Sequence, residues 1–470
     1  MAEAIYDALD PLLMRWTVGG PGAATAPMSW QSALGPDSGE AELRLLALAG
    51  HFLGLAVVAE PQGDVRSLPD VPSLALPALP VALRPLARRA IHTVKERKCL
   101  LDFLAARGWT MHPADWMPSG SDEDAPSVYA PWCDWANAAG SAIPERQYAE
   151  ERLTSENWDD YWPAARKAAF GDLRRSDPIA AATLLQAKFA SLGAEARLSL
   201  IGLLATGLSE TDIPFLQDVA AQDRAPKVKA LAASLLARLG HGAMAGEDAV
   251  ELAAFFELYG RGLLRRSQAV RPLKLKTPAQ QVRRRTLFAV VDFAAFASAL
   301  GLASNALPTS WDWGHDSQAD AEMAAMAEQS GDDTTIAAFV EALGDHAAHH
   351  LPVLLALVPR LSRALRAELA RQVLRGGGNY GAALALGGGA CRIDRAIDVP
   401  AGAALLRALA QDAGRANEQA AEIEALGLLA SRAGAREALE RLTRSGLLEA
   451  DPRLDLLRLN AALDDHGGEA

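Results

Sequence analysis

The chain has few cysteines, few aromatic rings and no long strand pattern. Its three cysteines, Cys99, Cys133 and Cys391, lie far apart among 470 residues, with no Cys-x-x-Cys pair. That spacing excludes a disulfide framework and a zinc knuckle and fits a reducing compartment. Aromatic residues make up 6% of the chain while 50% is apolar, led by Ala and Leu. Such a mix favours helices over sheets, and no extended Val/Ile/Thr alternation opposes it. No Gly-x-x-x-x-Gly-Lys-Ser/Thr loop occurs, which excludes a P-loop, and no Gly-x-Ser-x-Gly elbow occurs either. The opening MAEAIYDALD is acidic and lacks the basic start of a signal peptide. The most apolar run, Leu287–Leu302, contains Asp292 and is followed by Asn305 and Pro308, so it reads as a buried helix rather than a membrane span. These features lead to the expectation of a cytoplasmic protein without membrane contact.

What is present is concentrated in Asn157–Gly240. Five apolar stripes follow one another at steps of three and four residues, the spacing of one helical face. They run through Trp162, Phe170 and Leu173; Ile179, Leu185 and Leu192; Leu198, Ile201 and Leu208; Ile213, Leu216 and Val219; and Val228, Leu235 and Leu239. Asp177-Pro178 is a start signal, because Pro suits the first helical turn, and Gly193 and Gly207 are stop signals. Leu203-Leu204 and Leu235-Leu236 recur roughly 32 residues apart, the period of a stacked helical pair. The expected fold is all-α: stacked helical hairpins forming a HEAT-like α-solenoid, with a loop- and Trp-rich N-terminal region.

Four regions follow along the chain. Residues 1–155 hold an apolar helix over Glu40–Ala59 that should be buried, a Pro-rich linker over 61–86, and Trp109, Trp116, Trp132 and Trp135 in loop-rich chain. Pro-x-x-Pro spacing in the linker can present a polyproline ligand, but a stiff connector whose leucines pack locally is the plainer reading. Rings in irregular segments mostly plug gaps over helices. Residues 156–245 are the repeat core, 246–333 a helical segment that includes a helix over Glu247–Leu264, and 334–470 a second set of helical repeats.

Charge is segregated in the third region. Between Leu258 and Val291 stand nine cations and no acid: Arg261, Arg265, Arg266, Arg271, Lys274, Lys276, Arg283, Arg284 and Arg285. From Thr286 to Pro359 there is no Lys or Arg, but ten acids. Blocks of this size mark a partner surface or an internal pairing. Arg265, Arg266, Arg271, Lys274, Lys276, Arg283, Arg284 and Arg285 are the candidate partner- or anion-binding residues. As a site they stay unpaired, and reversing Arg283, Arg284 and Arg285 together leaves stability nearly unchanged. As internal glue they meet the acids of 312–345, and reversal destabilises. The net charge of −12 disfavours general nucleic-acid coating, and the block lacks interleaved rings for base stacking.

Two further motifs invite chemistry. Gly376–Gly381 matches Gly-x-Gly-x-x-Gly by letter but follows a helix, whereas a dinucleotide site needs a strand before the turn, so it reads as a flexible loop with Gly387–Gly389. Asp345-His346-Ala-Ala-His349-His350 puts His346 and His350 one helical turn apart, a spacing that can bind zinc. The metalloprotease form needs Glu where Ala347 stands, and a third spaced ligand is missing, so no bound metal is expected. Trp311-Asp312-Trp313-Gly314-His315-Asp316 reads as a docking loop or a capped turn. No nucleophile, base and stabiliser assemble from the sequence, so no catalytic residues and no cofactor are expected.

The residues Trp158, Ala164–Lys167, Leu173, Asp177-Pro178, Ala205–Ser209, Pro214–Leu216, Lys227–Lys229 and Leu235–Leu239 resemble a bacterial HEAT-like family of unknown function. That family is encoded beside SWIM zinc-finger proteins, MoxR-type AAA ATPases and von Willebrand A-domain proteins. The resemblance is best over 157–240 and thin beyond 300. It implies a non-catalytic scaffold or adaptor in an ATPase-centred system, with such proteins as partners. The alternative expectation is a nucleic-acid-binding or DNA-repair-related HEAT-like protein using the basic block 261–285.

Overall fold

A computed structural model describes residues 2–56, 70–95, 97–119, 125–140, 152–161, 163–242, 246–261, 267–411 and 419–463. The chain forms two compact units, Met1–Asp70 and Val71–Ala470. In the first, helices α1 (Ala2–Thr17), α2 (Met28–Leu34) and α3 (Ser38–Ala56) enclose a small core of Leu9, Leu12, Leu34, Ala41, Leu45 and Ala49. Glu42 on α3 accepts from the Trp16 indole at 2.9 Å and the Ala23 amide at 2.7 Å, and these bonds hold its carboxyl below the ordinary range. The expectation that this apolar helix is buried all round is corrected: Leu43 and Leu46 are exposed. The two other helices of the unit supply neighbours for only one face, and Ala41, Leu45 and Ala49, four residues apart, take it.

The second unit begins with the described part of the Pro-rich connector; residues 57–69 lie outside the described residues. Its chain is pinned rather than loose. Leu79 donates to Thr110 O and Thr110 to Pro77 O, each at 2.9 Å, and the Trp132 indole donates to Pro72 O at 2.8 Å. Leu79 is buried. Helices α4 (Arg84–Thr93), α5 (Arg97–Ala106) and α6 (Ala130–Gly140) follow. Trp132 sits in α6 rather than in a loop, and Tyr129 packs between it and Trp116 at ring distances of 5.5 and 5.1 Å.

The five stripes become α7 (Pro163–Ser176), α8 (Pro178–Lys188), α9 (Ala194–Leu203), α10 (Ile213–Gln222) and α11 (Pro226–Arg238). The Asp177 side chain caps α8 by accepting from the Ala180 amide at 3.0 Å. Pro178 and Pro226 open their helices, where a missing N–H is harmless. One predicted core position is wrong, for Ile179 is exposed.

After α12 (Glu247–Ala253) the expected helix stops. Strands β1 (Phe256–Arg261) and β2 (Ser267–Pro272) form an antiparallel hairpin with Leu258 opposite Val270. This corrects the helix over Glu247–Leu264, of which Glu247–Ala253 forms, while one two-stranded hairpin among the described residues leaves the fold all-α. Phe256 is buried with its ring against Phe288, Phe296 and Trp311, and these contacts from later in the chain outweigh the helical pattern of the run before it. Val270 extends the pairing to Trp311.

The remaining helices are α13 (Pro278–Val290), α14 (Phe293–Ala299), α15 (Leu307–Ser310), α16 (Ser317–Ser330), α17 (Asp333–Leu343), α18 (Leu351–Leu357), α19 (Arg363–Arg375), α20 (Tyr380–Gly387), α21 (Pro400–Gln411), α22 (Ala420–Leu429), α23 (Arg432–Arg444) and α24 (Asp455–Ala462). Helix α20 overturns the flexible loop expected around Gly381, because Asn379 caps it by accepting from the Ala382 amide at 2.8 Å. One row of helices packs neighbour to neighbour in the order α7, α9, α11, α16, α18, α20, α22, α24, with α8, α10, α17, α19 and α23 beside it. The row closes on α4, and Leu428, Leu456, Leu459 and Leu463 share one core with Leu79, Leu100, Phe103 and Leu104.

Arginines tie this row together. Backbone carbonyls at helix C-termini lack partners within the helix. Arg174 donates to Leu204 O, Thr206 O and Gly207 O after α9; Arg360 donates to Glu328 O and Gly331 O at the end of α16; Arg366 to Leu386 O in α20; Arg432 and Arg436 to Ala461 O in α24.

Candidate functional site

The basic block, the Trp311–Asp316 segment and the histidine cluster meet in one region. The hairpin places the segment: Asp312 donates its amide to Val270 O at 2.9 Å, continuing the strand pairing. The Asp312 carboxylate then accepts from Arg271 Nε at 2.9 Å and from the Tyr259 hydroxyl at 3.0 Å. The guanidinium of Arg271 also lies 4.3 Å from the Tyr259 ring centroid. The Asp312 bond raises the pKa of Arg271 above its ordinary value.

Helix α13 delivers three consecutive arginines to different surroundings. Arg284 is buried and contacts Asp316 at 2.9 Å and Glu322 at 3.4 Å. Arg283 is exposed and turns the other way, to Glu251 and Asp248 on α12. Arg285 is 71% exposed and reaches Glu322 at only 3.7 Å. Lys274 and Lys276 are exposed and carry no ion pair among the described residues. Arg265 and Arg266 lie outside the described residues. The candidate cations therefore fall into two sets. Arg271, Arg283 and Arg284 are matched to carboxylates of the same fold, whereas Lys274, Lys276 and Arg285 face outward. Glu251 and Asp248 were invisible to the sequence reading because they precede the hairpin that brings them near.

The histidines do not share a helical face as the spacing implied. Helix α17 ends at Leu343, and residues 344–350 form tight turns in which His349 and His350 both donate their amides to His346 O. Gly344 permits this, since a Cβ there would stand 2.9 Å from Gln372 Oε1. The imidazoles of His346 and His349 lie with centroids 6.4 Å apart, and His350 packs on Trp313 at 6.3 Å.

Opposite them, Asp316 caps α16 and Gly314 turns with φ of 84°. That turn aims the Gly314 amide at Asp320 Oδ2 at 2.9 Å, while the Trp311 indole donates to Oδ1 at 2.8 Å. The half-open cavity measures about 440 Å³ and is walled by Gly314, Ser317, Asp320 and Ala321 on one side and by His346, His349, His350, Pro352 and Val353 on the other. Burial pushes the Asp320 carboxyl up, against the two hydrogen bonds and nearby His350. Burial likewise pushes the His350 imidazole down, although Asp320 opposes it. No group of three or more His, Cys, Asp or Glu side chains stands in metal-holding geometry among the described residues. Sequence reading named both motifs but not their juxtaposition, and it gave Asp320 no role. The signal available was its position four residues beyond Asp316, one turn into the helix that Asp316 caps.

Stacked helix pairs, with one short hairpin among the described residues, define an all-α helical-repeat protein. No helix among the described residues is long and apolar enough to cross a membrane. The chain belongs to a family of unknown function (DUF5691), whose profile matches residues 131–458. No curated protein and no solved structure matches the chain.

Proposed function

We propose that the protein is a non-catalytic scaffold or adaptor of the bacterial cytoplasm that docks a protein partner through α13 and the turn before it. One observation carries this reading. Val282 and Val290 are 64% and 63% exposed on α13, beside the outward-facing Lys274, Lys276 and Arg285. Bare apolar side chains among cations suit an acidic protein surface that also brings apolar groups. A phosphate backbone is served by cations alone, and Arg271, Arg283 and Arg284 already hold carboxylates. The resemblance described above supplies the partner class: a MoxR-type AAA ATPase, a von Willebrand A-domain protein or a SWIM zinc-finger protein.

The test mixes the purified chain with each of these proteins from the same host and measures complex formation. Lys274→Glu, Lys276→Glu and Arg285→Glu together are expected to weaken the complex by about tenfold or more. Stability should move by no more than about 0.5 kcal/mol, as for ordinary surface changes. A complex indifferent to the triple reversal removes the docking surface from α13. Binding of duplex DNA that falls steeply with salt and vanishes in the triple variant would replace the scaffold with the nucleic-acid reading.

A further inference from the structure

The cavity between α16 and the histidine turns holds one carboxylate and no lysine or arginine to pair with it. Asp320 is 4% exposed, and both of its hydrogen bonds come from neutral donors, the Trp311 indole and the Gly314 amide. No ion pair reaches it among the described residues. Buried carboxylates are ordinarily paired, because an unpaired charge in a low-dielectric site is costly. The groups facing Asp320 are Asp316 on its own helix and His350, His346 and His349 across the cavity. Arg284 already neutralises Asp316, at 2.9 Å. The walls otherwise come from Ser317 and from Gly314, Ala321, Pro352 and Val353, the last four offering an alkyl stem somewhere to lie. Imidazole faces add flat surfaces on which a guanidinium stacks.

We propose that this cavity is a binding site for an organic cation, an alkylguanidinium or alkylammonium head on a short apolar stem, with Asp320 as its counter-ion. The volume of about 440 Å³ accommodates such a group with room for water. Its source is either an arginine or lysine side chain or a free amine, and both present the same chemistry. The cavity shares no lining residue with the α13 docking surface, so either can fail without the other. Binding needs the ionised carboxylate and an uncharged His350. Burial raises the proton affinity of Asp320 and lowers that of His350. Acid therefore opposes binding in two ways: it protonates Asp320, and it charges His350 beside the ligand.

The experiment titrates the full chain with n-propylguanidinium by calorimetry and thermal shift at pH 7.5 and pH 5, with propionate as the charge-reversed control. The arginine tripeptide Gly-Arg-Gly is a second arm. Saturable binding of propylguanidinium at pH 7.5, weaker at pH 5 and absent for propionate, is expected. Asp320→Asn should weaken it by about tenfold or more, the worth of a charge-assisted contact. Ala321→Leu, at an exposed wall position, should block the cavity and abolish binding even if Asp320→Asn fails to fold. Equal affinity for the tripeptide identifies a side chain as the source, and a loss with the tripeptide identifies a free amine. Binding that survives Ala321→Leu, preference for propionate, or no saturation at millimolar concentration overturns the proposal.

Discussion

Arg174 shows how much one side chain can hold. It is fully buried, and its guanidinium donates to Thr206 O, Pro178 O, Leu204 O, Gly207 O and both carboxylate oxygens of Asp212. Asp212 also accepts the Ser209 amide at 3.0 Å, completing a capping box ahead of α10. Removing one partner of such a pair leaves a buried charge without compensation, a loss of about 3–5 kcal/mol. Arg174→Ala is therefore expected to destabilise by that amount in denaturant unfolding. Arg174→Met with Asp212→Leu should lose less than Arg174→Ala, because no charge is stranded. A loss below about 1 kcal/mol for the single variant would show that water reaches the site and that the network matters little.

At the scale of elements, α13 separates structural from surface cations within three residues. Arg284→Glu would set a third carboxylate beside Asp316 and Glu322 in a buried position, and a loss of about 3 kcal/mol or more follows. Arg285→Glu at an exposed position should change stability by about 0.5 kcal/mol or less. Urea melts of the two single variants check this, and equal losses would contradict it. From sequence alone, the three arginines are equivalent, because burial depends on which side of α13 meets α16. The helices of 163–238 were legible for the opposite reason: Asp177, Pro178, Pro226 and the apolar spacing act within a few residues. The histidine turn was half legible. Its spacing fits a helix, but Gly344 and Pro352 interrupt the helix on either side of it. The hairpin at 256–272 was not legible, since it follows the Ala-rich helix α12 with almost no break and Trp311, which pairs with Val270, lies some forty residues on. Nor was the cavity, which exists only because that hairpin carries the Trp311 segment to the histidines.

In the second unit the C-terminal end of the helix row is covered by helices from its N-terminal part. Helical repeats contact their neighbours and need capped ends. Here the last helix, α24, is capped by α4, through Arg89 donating to Asp455 at 2.7 Å, and Arg107 adds a buried bond to Asn460. Asn460 passes the contact on to Gly427 O and Ala430 O, each at 2.7 Å. Ending the chain at Ser445 should therefore loosen residues 79–132 as well as the new terminus. Hydrogen exchange across α4 and α5 in the truncated chain is the measurement, and unchanged protection there would show that this segment holds its own core. No local pattern encodes such pairing, which is why the first 155 residues read as a region of their own. The same closure sets an order of events during synthesis. Arg89 leaves the ribosome 366 residues before Asp455 does. At roughly 5–20 residues per second, that gap lasts about 20–70 s. Throughout it, the core that Leu100, Phe103 and Leu104 share with Leu79, Ile91 and Trp132 lacks Leu428, Leu456, Leu459 and Leu463, so it is completed only once α24 has been made.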